Sequence, residues 1–194
     1  LYILKESSES AYSVFFTTLD RQKVKHVFID PDEQLQHAVA YAFPNAIIAM
    51  SEECLQRILR EAFRDIIRKD GARCFIPHPY HTFSQEERYL RSYEREQIES
   101  ILEERHRLRA AYNAYQQLLF DMSEQWDIPL IQEWINDLPS YLEESADNGE
   151  QLEAITEFDI LSDILEFYEP QINFFLALKN KPPAAMASAV MAIQ

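Results

Sequence analysis

Two aspartates bracket a proline at the end of an apolar run: Val24, Val27, Phe28 and Ile29 lead into Asp30-Pro31-Asp32. A carboxylate leaving the carboxyl end of a buried strand is well placed for a ligand or a divalent cation. The plain alternative for Asp30 is an aspartate that ends a strand and turns the chain beside proline. Farther on, His78-Pro79-Tyr80-His81 has a spacing that suits a metal, with Cys74, Glu86 and Glu87 as the obvious extra ligands. A proline-rich surface loop with two histidines accounts for the same pattern. Joined to Asp30 and Asp32, His78 or His81 would give a metal-dependent hydrolase. Cys54 follows Ser51 at a helix start, where a thiol pKa falls, yet no Cys-His or Ser-His-Asp arrangement accompanies it. No glycine-rich phosphate loop is present, which argues against nucleotide hydrolysis.

These residues need elements to position them. Val24 to Ile29 has the β-branched and aromatic composition of a buried strand. Asp32 can cap a helix carrying Leu35, Ala38, Val39 and Phe43, which Pro44-Asn45 ends, and Ala46 to Met50 is a second apolar run. Strand, acidic turn, helix and strand predict a parallel pair with a right-handed crossover. Ahead of it, Leu1 to Leu4 reads as a strand, and Ala11, Val14, Phe15 and Leu19 as one helix face. Ser51 caps a helix from Glu52 to about Lys69, whose apolar face is Leu55, Ile58, Leu59, Ala62, Phe63, Ile66 and Ile67. Residues 72 to 83 read as a boundary loop, and Ser84-x-x-Glu87 as a capping box.

Beyond that boundary the pattern is helical. Positions 101, 105, 108, 112, 115, 119, 122 and 126 alternate steps of three and four, predicting one long helix from Glu94 to Gln125 with a coiled-coil-like seam. Tyr112, Tyr115 and Trp126 belong to its core, while Arg105, Arg107 and Arg109 pair with Glu103, Glu104 and other acids on a wet face. Base stacking by Tyr112, Tyr115, Phe120 and Trp126 is the competing reading. Further helices are expected around Leu130 to Leu138, Leu152 to Tyr168, from Pro170 to Leu178, and over Ala184 to Ala192.

The unit from Val24 to Ile67, with its helix closing on Ala-Phe-Pro-Asn-Ala, resembles the catalytic domain of bacterial insertion-sequence transposases of the ISL-three type. That resemblance implies an RNase H-like fold, and DNA transposition by two Mg²⁺ ions held by a DDE carboxylate set. It also implies that Asp30 is the second aspartate of the set, with Asp32 as its substitute in a slipped register. The first aspartate belongs on a strand before Leu1. Where the family carries aspartate, any residue, phenylalanine, histidine, this chain has Ser51, Glu53 and Cys54 at the three defined positions. The final glutamate falls on Ala184, followed by Ala185, Met186 and Ala187. A methyl group binds no metal, so the chain is expected to be catalytically inactive and to leave Mg²⁺ unbound.

Composition sets further limits. The 194 residues suffice for one domain with a sizeable core, and two glycines argue for a mostly helical chain. Eighteen basic against 33 acidic side chains give a formal charge of −15, a surface that repels phosphate and makes the chain alone a weak DNA binder. Two cysteines are too few for a disulfide scaffold and point to a reduced, cytoplasmic protein. No apolar run of about 18 residues predicts a membrane span, and Leu1 in place of methionine predicts a segment of something longer.

The resulting expectation is α/β plus all-α and predominantly helical. A partial RNase H-like sheet with helices spans 1–72 and a helical region 73–194, with 84–179 as an inserted bundle and 180–194 as the last helix of the core. The alternative function is an acidic, non-catalytic helical module that binds a basic protein partner. Homo-oligomers are expected through an unpaired sheet edge or the 98–126 seam.

Overall fold

The computed structural model describes residues 9–70, 79–124, 127–147, 149–179 and 190–192. The chain forms two compact units, one from residues 1–55 with 164–194 and one from 56–163.

The first unit is built on β1 (His26–Phe28), which lies between β2 (Ile47–Ala49) and β3 (Val190–Ala192) in a wholly parallel sheet. His26 pairs with Ile47 and Phe28 with Ala49 on one side, and His26 with Val190 and Phe28 with Ala192 on the other. The strand-helix-strand reading therefore holds: α2 (Glu33–Ala42) connects the first two strands. Asp32 starts that helix by accepting the Leu35 N–H at 2.9 Å, and the Phe43 N–H closes it on Val39 O at 2.8 Å. Leu35, Ala38, Val39, Ala42 and Phe43 pack with Val27 and Ile29.

The helix α1 (Glu9–Thr17) buries Tyr12 and Phe16, with Phe15 and Leu19 partly covered. Val14, expected on its inner face, is 69% exposed. The larger rings take the inward positions, and Phe16 meets Phe43 edge-on at 5.1 Å. β1 has a neighbour on each side, and β2 and β3 are the edges of the described sheet. The strand Val190–Ala192 also corrects the helix expected over 184–192, because parallel pairing to β1 satisfies its backbone in extended form. The expected strand Leu1–Leu4 and the positions Ala184 to Ala187 lie outside the described residues.

The second unit contains most of α3 (Glu52–Lys69), then α4 (Pro79–Ser84), a 3₁₀ turn (Glu87–Tyr89), α5 (Ser92–Leu102), α6 (His106–Glu124) and α7 (Ile128–Ser145). A second 3₁₀ turn (Thr156–Phe158) leads into α8 (Asp159–Lys179), which re-enters the first unit. All seven apolar positions read for α3 are buried. Phe63 stacks on Tyr115 at 4.4 Å, and Trp134 Nε1 donates to Ala114 O at 2.7 Å, tying α7 to α6.

Five expectations change here. Residues 79–84 are helical, not loop, because proline suits a first helical position and Phe83 is buried edge-on to Tyr112 at 5.9 Å. Ser84 ends that helix and caps nothing; Arg91 and Glu94 form the capping interaction, the Arg91 N–H donating to Glu94 Oε2 at 2.8 Å. The single helix from 94 to 125 is two, α5 and α6, parted at Glu103–Arg105. Residues 152–155 are not helical, whereas α8 runs through Pro170 without ending. The seam's Ile101, Leu108, Tyr112, Tyr115 and Met122 are buried, and Trp126 lies outside the described residues.

An electrostatic cluster lies beside the break between α5 and α6. Arg107 Nη2 donates to Glu157 Oε2 at 2.7 Å and to Ala154 O at 3.0 Å, and its Nη1 faces Asp70 at 3.5 Å. Arg105 donates to the Asp70 carbonyl, and Lys69 holds the other Glu157 oxygen at 2.8 Å. Of the three arginines expected to pair with acids, Arg107 does so with Asp70 and Glu157. Burial alone would raise the Glu157 pKa, but hydrogen bonds from Lys69, its own backbone and Arg107 outweigh it and hold the carboxyl below its ordinary value. Asp70 lies above its ordinary value, because desolvation exceeds the pull of Arg107 and Arg105.

His106, the first residue of α6, bonds acids through both ring nitrogens: Nδ1 to Glu150 at 2.6 Å and Nε2 to Asp147 at 3.2 Å. Two carboxylates require two donors, so the ring is imidazolium in this arrangement. The Glu150 hydrogen bond, helped by the Asp147 charge, raises the His106 pKa against desolvation and Arg109. A raised folded-state pKa contributes stability that is complete below the ordinary value of 6.5 and is lost as pH rises through the raised one. Thermal unfolding across that window will show a loss of stability with rising pH that His106→Gln abolishes; an identical pH profile in the variant would refute the clamp.

Candidate functional site

The carboxyl ends of β1 and β2 carry the residues singled out in the sequence. Asp30 leaves the central strand half-buried, and its carbonyl accepts the Asp32 N–H at 2.8 Å, which folds the chain over Pro31. Asp32 spends one carboxylate oxygen on the cap of α2. At the neighbouring strand end, Ser51 Oγ accepts the Cys54 N–H at 3.2 Å and its carbonyl accepts Cys54 and Leu55, opening α3. The Cys54 side chain is 4% exposed, so it is a packed residue at a helix start and not a presented nucleophile.

Sequence reading missed Tyr168 of α8. Burial raises its phenol pKa, and the negative charges of Asp32 and Glu33, with Cys54, raise it further. Tyr168, which arrives from far along the chain, thus lies within electrostatic reach of the starts of α2 and α3. The only sequence signal for Tyr168 was its place in a helix with several apolar faces. Met50, at the same end of the sheet, donates its N–H to the Gln171 carbonyl of α8 at 3.1 Å.

This arrangement does not fit a two-metal centre. Such a centre needs several carboxylates converging on ions about 3.5–4 Å apart, and among the described residues no three histidine, cysteine, aspartate or glutamate side chains gather to hold a cation. Serine and cysteine stand where the resemblance calls for aspartate and histidine, and both serve the start of α3. Of the histidine pair, His81 is exposed on α4, while His78 and Cys74 lie outside the described residues. Glu86, its suggested co-ligand, instead pairs with Arg88 at 2.6 Å.

A parallel α/β sheet with a carboxylate at the end of its central strand defines a class whose ligands meet the strands' carboxyl edge. A family model described as Transposase, of the ISL3 (ISL-three) type, matches residues 1–157, and the chain belongs to that transposase family. No curated protein and no solved structure matches it. The match spans Asp30, Asp32, Ser51 and Cys54 and stops short of Ala184. No helix among the described residues is long and apolar enough to cross a membrane.

Asp32 separates a capping role from a ligand role. Asp32→Ala is expected to lower the unfolding free energy by about 1 kcal/mol, the usual worth of an N-cap, while Asp32→Asn, which still caps, stays near wild type in urea denaturation. A loss in Asp32→Asn equal to that in Asp32→Ala would show that the charge matters more than the cap.

Proposed function

We propose that this chain is a DNA-transposition domain of RNase H-like descent that carries no working DDE centre of its own and serves as a scaffold in the cytoplasm. The observation that supports the reading is that Ser51 and Cys54, which fall where the resemblance expects aspartate and histidine, are both engaged at the start of α3, Ser51 as its cap. Asp30 keeps the strand-end position of a second aspartate, and Asp32 is engaged as a cap. The parallel strand-helix-strand unit supports RNase H-like ancestry. The helical stretch 56–163 falls between the two sequence segments of the α/β unit, which supports an inserted bundle. Mg²⁺, implied by the family, has no assembled ligand set here among the described residues.

Calorimetric titration with Mg²⁺ and Mn²⁺, with Asp30→Ala as control, tests this directly. The expected result is no saturable binding that depends on Asp30. Binding that vanishes in Asp30→Ala would mean that a carboxylate site survives, and inactivity would have to be abandoned.

One observation favours the second reading, an acidic module that binds a basic protein partner. On α8, Ile160, Phe167 and Phe174 recur at seven-residue intervals and are 43%, 69% and 47% exposed, among Asp159, Asp163, Glu166 and Glu169. An exposed apolar stripe edged by acids suits a basic amphipathic helix. Pull-down with a lysine-rich amphipathic peptide should fail for Phe167→Asp/Phe174→Asp; undiminished capture would dismiss this reading.

A further inference from the structure

We propose that a cleft of about 550 Å³ in the helical unit is a phosphate site that takes the backbone of a single nucleic-acid strand. One wall is the polar face of α3, where Arg57, Arg60 and Arg64 recur at three- and four-residue intervals and so stand on one side of the helix. In a chain with 33 acids and 18 bases, guanidinium groups have carboxylates in surplus to pair with. The acids of this cleft are already engaged: Glu61 faces Arg57 at 3.5 Å and Glu86 holds Arg88 at 2.6 Å. Arg60 and Arg64 have no hydrogen bond or ion pair to any described residue. Two unanswered guanidinium forks therefore give the cleft a local positive charge, in the geometry that grips phosphate oxygens in pairs.

The opposite wall is fixed and supplies further chemistry. Tyr115 is fully buried and its hydroxyl donates to Ser84 O at 2.9 Å, locking α6 to the end of α4. Ser84 Oγ, beneath this wall, is buried without a hydrogen-bond partner. Tyr89 is 61% exposed, with the Arg88 guanidinium 5.0 Å from its ring centre. An open aromatic beside a cationic cleft is the pattern that stacks a base while the arginines hold its phosphate. The concave shape admits one strand; a duplex presents a convex surface that a cleft of this size does not enclose. The overall charge of −15 opposes binding at longer range, so the contact is short-ranged and strongly salt-dependent.

The anion chemistry stands on the arginines, while a nucleic-acid strand as its source rests on the DNA-associated reading above. The test is fluorescence anisotropy of a labelled single-stranded oligonucleotide and its duplex across a salt series, with calorimetry of pyrophosphate on the same proteins. The wild-type chain should bind the single strand better than the duplex. Arg60→Ala/Arg64→Ala should weaken binding about ten-fold and lower the log–log salt slope by about 1.4, at about 0.7 for each lost single-strand phosphate contact. Arg60→Lys/Arg64→Lys should keep the slope and recover only part of the affinity, which also guards against a misfolded alanine variant. Equal affinity and slope in the alanine variant would overturn the cleft while leaving the DNA-associated reading intact. Pyrophosphate binding that needs Arg60 and Arg64, with no binding of either oligonucleotide, would overturn the strand as ligand and reassign the cleft to a small phosphate.

Discussion

A half-buried guanidinium has to be answered, and in the helical unit Arg107 is answered by Glu157, Asp70 and the carbonyls of Glu153 and Ala154. Removing such charges from water costs several kcal/mol unless every group is paired. The pairing here joins the end of α3, the start of α6 and the turn before α8. Lys69 and Arg105 complete it from the same side. Three segments distant in sequence are held at one point, beside the separation of α5 from α6.

How the few basic residues are used explains much else. Several of the described ion pairs are local surface contacts, such as Lys23 with Asp20 and Arg68 with Asp65, which contribute little. His106 clamps the acidic turn near Gly149, the one described position with a backbone (φ 80°) that favours glycine. Against that background, the face of α3 opposite its apolar stripe stands out for the charge it leaves unmatched.

Much of the fold was legible because its causes are local. The Asp32 and Ser51 caps, the proline after α2, and the apolar period of α3 each lie within a few residues of what they determine. What escaped depends on distance. The pause at Glu103–Arg105 lies beside residues near 70 and 157, and Val190–Ala192 becomes a strand because β1 offers it a partner, although its local composition is helix-prone. Tyr168 reaches the strand-end site only through the return of α8. The Ser51 cap that opens α3 is legible from residue types alone, whereas Arg60 and Arg64, on the outer face of α3, are invisible to a pattern that follows its apolar face.

The sheet that displays Asp30 is assembled from opposite ends of the sequence, with the whole helical unit encoded between its central strand and β3. Closing so distant a pair carries a large entropic cost that local helices do not bear. During synthesis the continuous helical unit can therefore gain its structure first, and the strand-end surface is completed only after α8 and β3 have left the ribosome. Any ligand that waits on that surface meets a folded bundle before it meets a finished sheet.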